Sequence, residues 1–124
     1  KAIVADPPRL DNALENYRKA AEQDAANLRA VRALGQTYLM LGRSKMDNPP
    51  AASQYFSQAR QQFELCLKVD PKDLEALKSL AKVAVSQRDE SLLADVYRKI
   101  IETAPQSEAA GLARRDAQMR GFKI

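Results

Sequence analysis

Residues of the same kind recur along this chain at two fixed distances. Three pairs lie 46 residues apart and two pairs lie 34 residues apart. The pairs are Ala13 and Ala59, Tyr17 and Phe63, Leu34 and Leu80, Phe63 and Tyr97, and Pro71 and Pro105. A period of about 34 residues is typical of proteins that stack short units, none of which buries its apolar face alone. The longer distance exceeds the shorter by twelve residues, which predicts an insertion between Tyr38 and Ala59.

Apolar residues inside each unit follow the spacing of an α-helix. Val31, Leu34, Gly35 and Tyr38 fall on one stripe, and a stripe at this spacing predicts an amphipathic helix. Only 4 glycines and 6% aromatic residues argue against barrels and β-sandwiches, whereas abundant alanine and leucine favour helix. At 124 residues, the chain is expected to form one all-α domain.

Six helices are predicted from such stripes and from residues that start or end helices. Asn27 and Asp73 are suited to cap helix N-termini. Pro49 and Pro50 can open a helix, and Gly42 is expected to end one. The predicted helices are Leu10 to about Gln23, Leu28 to Leu41, about Pro50 to Val69, Leu74 to Ser86, Asp89 to Thr103, and Ser107 to about Arg120.

Gly35 predicts a close contact between helices. A glycine inside a helix costs about 1 kcal/mol relative to alanine. Its presence in the second predicted helix therefore suggests that a neighbouring backbone or ring comes close to this position. Tyr17 and Phe63 are both candidates to fill the space.

The last predicted helix is expected to cap the stack. It would dock through Ala110, Ala113 and Ala117 while its charged side faces water, as the terminal unit of a stack requires. Three large apolar residues are then left over. They either cover the end of the stack, which we favour, or form an exposed contact for another chain. These residues are Leu112, Met119 and Phe122.

A large residue, Leu-Gly and an aromatic residue are followed by Ala, a second aromatic residue and Pro. The residues are Val31, Leu34, Gly35, Tyr38, Ala59, Phe63 and Pro71. This pattern resembles the tetratricopeptide repeat family, and the resemblance covers about Leu10 to Gln106. It implies a right-handed α-solenoid of antiparallel helix pairs with about six helices. The second repeat departs from the pattern, since Ala81 and Ala84 replace the glycine and the aromatic residue and Leu93 replaces the alanine.

The resemblance divides a single domain, 1–124, into segments. We interpret the insertion as a longer loop plus extra N-terminal turns on the helix that ends near Val69. The segments are an N-terminal tail (1–9), a half-repeat or opening helix (10–26), a repeat with an insertion at about 43–52 (27–72), a second repeat (73–106), a C-terminal capping helix (107–120) and a tail (121–124).

In this family the first helices of successive pairs line a concave groove that holds a peptide or a partner helix. Carried over by position, the groove residues are Arg29, Arg32, Gln36, Leu39, Met40, Glu75, Lys78, Ser79 and Lys82. Four of them are cations, so an acidic peptide or a C-terminal carboxylate would suit the groove, although ordinary solvated helix surfaces carry similar charges. Family members that clamp chaperone C-termini use Asn where Gln36 and Lys82 stand here, so we favour a generic acidic ligand over that one.

The sequence offers little for catalysis. It contains no His, and we find no Gly-rich phosphate loop, no nucleophile beside a base and no acidic cluster with metal-ligand spacing. We therefore expect no enzymatic activity, no cofactor and no metal. The single Cys66 excludes an internal disulfide and is expected to be a buried structural thiol. A net charge of +4 is smaller than is typical of a nucleic-acid-binding segment, so we expect no nucleic acid as partner.

Two functions are compatible with these observations. The first is a non-enzymatic protein-binding scaffold that holds a peptide or helix of a partner, expected to be acidic, in a basic concave groove. The alternative is a structural subunit of a larger assembly, or a self-associating array, that uses the convex face, the inserted loop and the ends of the solenoid. No apolar run approaches the ~18 residues that cross a bilayer, so we expect a soluble protein, in the cytoplasm, or in the periplasm or a lumen if a leader was removed.

Overall fold

The computed structural model describes residues 8–24 and 27–124, so most of the predicted tail at 1–9 lies outside the described residues. The described part is all α-helical, with six helices whose bounds lie within three residues of the predicted ones. They are α1 (Pro8–Gln23), α2 (Leu28–Ser44), α3 (Pro49–Val69), α4 (Leu74–Gln87), α5 (Glu90–Thr103) and α6 (Glu108–Arg120). Each helix packs against the next one along the chain, and α2 also contacts α4.

Each helix from α2 to α6 begins at a side chain that caps its N-terminus. The cap accepts a hydrogen bond from the backbone N–H three residues further on, at 3.0 to 3.4 Å. Because the first four N–H groups of a helix have no partner inside it, each cap contributes about 1 kcal/mol. The predicted caps Asn27 and Asp73 are confirmed. The full set is Asn27, Asn48, Asp73, Asp89 and Ser107.

Two glycines of α2 let the rings of α3 approach its backbone. A β-carbon on Gly35 would lie 2.8 Å from Cε1 of Phe63, and one on Gly42 would lie 2.5 Å from Cε1 of Phe56. Phe63 therefore fills the space beside Gly35, while Tyr17 is 38% exposed. The prediction that Gly42 ends its helix is wrong, because α2 continues for two residues beyond it and Gly42 is buried.

The predicted insertion lengthens helices and leaves a short connection. α2 ends at Ser44 and α3 begins at Pro49, so residues 45–48 form the whole link. The backbone N–H of Lys45 donates to Gly42 O at 3.1 Å, and that of Asn48 donates to Lys45 O at 2.8 Å, which makes the link a tight turn. The longer loop that we expected is therefore absent. The extra residues extend α2 and give α3 its 21 residues.

The last helix docks through small residues, as predicted. Its buried contacts come from Ala110, Ala113 and Ala117. Phe122 covers part of the end of the stack, since its ring centroid lies 6.4 Å from that of Tyr97. Leu112 and Met119 are 54% and 85% exposed, so the prediction that they also cover the end is wrong.

Cys66 is a fully buried free thiol. Its sulfur lies 4.0 Å from the backbone oxygen of Leu28, at the start of α2. Burial, followed by the nearby carboxylate of Asp73, raises the pKa of this thiol to about 11. Because the thiolate is the reactive form of cysteine, a raised pKa lowers the reactivity of Cys66. The residue packs as a small apolar side chain, as the sequence predicts.

A hydrogen-bond network ties α5 to α6. The Tyr97 hydroxyl donates to the carboxylate of Asp116, which also accepts from Arg120 Nε at 2.8 Å. Arg120 reaches Glu90 at 3.9 Å. The hydrogen bond from Tyr97 lowers the pKa of Asp116. Burial, followed by the hydrogen bond to Asp116, raises the pKa of Tyr97 to about 12.

Tyr97→Phe is expected to destabilise the protein by about 1–2 kcal/mol at pH 8, because a charge-assisted hydrogen bond is lost. The folded-state pKa of Tyr97 lies above the ordinary value of 10.0. The wild type therefore keeps this stability below about pH 10 and loses it as the pH rises towards 12. Urea denaturation should show the difference between the two proteins shrinking over that range. Tyr17→Phe, at a tyrosine that is 38% exposed, is the control. A constant difference for Tyr97→Phe would contradict the network.

Gly42→Ala is expected to lower the free energy of unfolding by about 1–3 kcal/mol, because the Phe56 ring must move within a packed interface. Gly111 is the matched control, since it also lies inside a helix but a β-carbon there meets nothing within 4 Å. Gly111→Ala should stabilise the protein by up to about 1 kcal/mol. Chemical denaturation measures both. Equal effects would show that the ring does not limit how closely α2 and α3 approach.

Candidate partner-binding groove

The predicted groove residues of α2 do not all reach the surface. Arg29, Gln36 and Met40 are exposed. Leu39 is only 5% exposed and belongs to the core. The side chain of Arg32 is 28% exposed, and its guanidinium is already bound within the protein, at the N-cap of α4. Three of the five α2 residues thus remain accessible to a partner.

The predicted groove residues of α4 divide in a similar way. Glu75, Lys78 and Lys82 are exposed, whereas Ser79 is 7% exposed and lies inside the fold. Lys78 Nζ lies 3.4 Å from the Glu75 carboxylate. Lys82 forms no ion pair with the rest of the described chain, so its charge is available to a ligand.

Arg32 takes part in an ion pair that holds two helices together. Its Nη1 donates to the carboxylate of Asp73 at 2.8 Å, and Asp73 is 7% exposed at its side chain. A similar pair joins α3 to the N-cap of α5, where Arg60 Nη1 lies 3.1 Å from Asp89. The backbone N–H of Leu92, and next the side chain of Arg60, lower the pKa of Asp89. In both cases a cation of one helix neutralises the cap of the helix two further on.

A groove of about 510 Å³ lies between α4 and α6, with α5 at its floor. Its apolar surface includes Leu74 and Ala81 of α4, Ile100 of α5 and Leu112 of α6. Lys78 and Lys82 stand on the α4 wall. The groove therefore contains two of the predicted site residues beside an apolar surface that is open to solvent.

The opposite wall of this groove was missed by sequence reasoning. Glu108 and Asp116 of α6 line it, so the rim is basic on one side and acidic on the other, and the expected uniformly basic groove does not describe this part. Leu112 was the available signal, since it is a large apolar residue of α6 without a place in the docking stripe. Ser107 also lines the groove, but its hydroxyl is already used within the protein. It donates to Ala104 O at 2.6 Å and caps α6.

A second cleft, of about 480 Å³, lies between α1 and α3 over α2. Its floor is formed by core residues of α2, including Val31 and Leu34. Its α3 side carries Gln58, Gln61 and Gln62. None of the nine predicted site residues lines it. The α4–α6 groove is therefore the better match to the sequence-based prediction.

We also searched residues 8–24 and 27–124 for metal sites and for membrane-spanning helices. No three His, Cys, Asp or Glu side chains in these ranges come together as metal ligands. Within the same ranges, no helix has the length and apolar character that crossing a membrane requires. Comparison with known protein families finds no match, and comparison with curated proteins finds no significant similarity.

Arg32→Met is expected to destabilise the fold by about 1–3 kcal/mol, because it leaves the buried Asp73 carboxylate without its cation while keeping the length of the side chain. Arg29→Met is the matched control, since Arg29 is an exposed arginine of the same helix. Its effect should stay within about 0.5 kcal/mol. Urea denaturation measures both. Equal effects would mean that Arg32 contributes no more than a solvated surface arginine.

Proposed function

We propose that the helices form a tetratricopeptide-like solenoid, in the right-handed arrangement of antiparallel pairs that the sequence pattern implies. The sequential packing of the helices and the contact between α2 and α4 support this proposal. The caps of α2, α4 and α6 support it further. Asn27, Asp73 and Ser107 are spaced by 46 and 34 residues, the same two distances at which the apolar residues recur.

On that scaffold, the function that the geometry supports best is non-enzymatic binding of a segment of a partner protein in the α4–α6 groove. The observation that carries this proposal is an apolar groove with a large side chain left open at its edge, Leu112, 54% exposed. Exposed apolar surface beside charged groups is typical of an interaction site. Lys78 and Lys82 favour acidic groups on the partner, at the α4 side of the groove.

The polar groups of the groove favour binding over catalysis. Asp116 is engaged by Tyr97 and Arg120, and Ser107 serves as a helix cap. The remaining polar side chains are lysines and an exposed glutamate, without a nucleophile next to a base. An apolar surface with charges at its rim is suited to hold a side chain and a complementary charge.

The proposal is tested by selecting 16-residue peptides from a displayed library on the wild-type protein. Leu112→Ser should weaken binding of the selected peptides about tenfold or more, because a buried leucine contact is worth about 1.5–3 kcal/mol. Lys82→Glu should weaken binding of acidic peptides at low salt and less at high salt. Isothermal titration calorimetry measures both.

Matched controls exist on the same chain. Met119 is 85% exposed on α6 but does not line the groove, and Lys99 is an exposed lysine of α5 that lines other clefts. Met119→Ser and Lys99→Glu should leave the affinity within about twofold, since neither removes a contact to the peptide. If the controls weaken binding as much as the groove variants do, the groove is not the binding site.

The alternative function, a subunit of a larger or self-associating assembly, is favoured by other exposed apolar residues. Met119 lies on α6, and Leu65 and Val69 on α3 are 48% and 57% exposed. Such residues can pack against another chain. Light scattering across a range of concentrations distinguishes the two functions, because self-association raises the apparent mass with concentration, whereas peptide binding alone does not.

A further inference from the structure

The two walls of the α4–α6 groove carry opposite charges. Lys78 and Lys82 lie one helical turn apart on α4, while Glu108 and Asp116 lie two turns apart on α6. Lys82 and Glu108 are exposed, and neither forms an ion pair with another residue in the described ranges. Each wall therefore has one charge that is free to meet a ligand.

The groove offers little to the backbone of a ligand. Its floor and lower walls are apolar side chains of three helices. Beyond the first turns of α4 and α6, where Leu74, Glu108 and Ala109 lie, the N–H and C=O groups that line the groove are bonded within the helices. No Asn or Gln is among its lining residues, so no carboxamide is present to donate and accept together along an extended chain. An extended peptide would place unpaired backbone groups against this apolar surface, and that is costly. A helix satisfies its own backbone.

We propose that the occupant of this groove is an amphipathic α-helix with an apolar stripe, an acidic flank facing Lys78 and Lys82, and a basic flank facing Glu108 and Asp116. This inference rests on the proposed function and adds a direction to it. Turning the helix end for end exchanges its flanks and sets like charges against each other on both walls. The groove therefore selects one N-to-C direction of the partner helix.

Three synthetic peptides of 16 residues test the inference. The first has a leucine stripe with glutamates on one flank and lysines on the other, in equal numbers. The second has the flanks exchanged at the same composition, and the third is the first with a proline at its centre. Affinities come from calorimetry. A nitroxide on each peptide N-terminus broadens nearby amide signals, and Leu74 and Lys82 report the two ends of the α4 wall.

The first two peptides should bind within about threefold of each other, and their spin labels should broaden opposite ends of α4. The proline peptide should bind at least about tenfold more weakly, because proline breaks the helix. Leu112→Ser should weaken both helical peptides about tenfold, whereas Met119→Ser should not. The double variant Lys82→Glu and Glu108→Lys exchanges the free charges of the two walls. The first peptide should therefore bind this variant in the opposite direction.

Equal binding of the proline peptide would overturn the helical occupant. If the spin labels of the first two peptides broadened the same end of α4, the assignment of the charged flanks to the two walls would be overturned. No binding of any peptide at millimolar concentration would overturn the inference as a whole. In each case peptides from the library selection that depend on Leu112 would leave the proposed function standing, and their absence would remove it independently.

Discussion

The contact between the rings of α3 and the bare backbone of α2 is the interaction on which the rest of the stack depends. Phe63 is fully buried and Phe56 is 4% exposed, and both rings occupy the volume that side chains at Gly35 and Gly42 would take. Two large apolar side chains are thereby buried without pushing the helices apart. The close pair forms a rigid base against which α1 and α4 pack.

Charged residues then join helices that are not consecutive. Arg32 of α2 binds the cap of α4, and Arg60 of α3 binds the cap of α5. A capping aspartate is satisfied by backbone N–H groups on one side and by a guanidinium on the other, so its charge can be buried at small cost. Each capping aspartate therefore has two structural roles. The start of a helix is fixed by the same residue that sets its distance from the helix two earlier in the chain.

Sequence reasoning predicted the fold where the signals are local. Helix bounds, the caps at Asn27 and Asp73, and the alanine stripe of α6 depend on residues close together in the sequence, and the structure confirms them. Gly42 was assigned wrongly because glycine serves both to end a helix and to admit a neighbouring ring. The local pattern is the same for both, and only the position of Phe56 decides between them.

The candidate site was harder to predict because its charges depend on distant partners. Four cations of α2 and α4 look equivalent in the sequence, yet Arg32 is bound to Asp73, 41 residues away. Lys78 is also paired, but with Glu75, three residues earlier in its own helix. A count of basic residues therefore overstates the positive charge that a ligand would meet. The acidic wall could not be read from the repeat pattern at all, since the pattern places a polar cap at α6 without saying which of its faces turns towards α4.

The opening of the groove follows from how α6 is docked. Alanines bring α6 close to α5, but their short side chains cannot reach across to α4, so the space between the two outer helices stays open above Ile100. Leu112 lies at the edge of that space because it is on a different face of α6 from the docking stripe of Ala110, Ala113 and Ala117. The small residues that let the stack end compactly thus also leave an apolar groove beside the last helix, and the charged residues of the two walls determine which ligand can enter it.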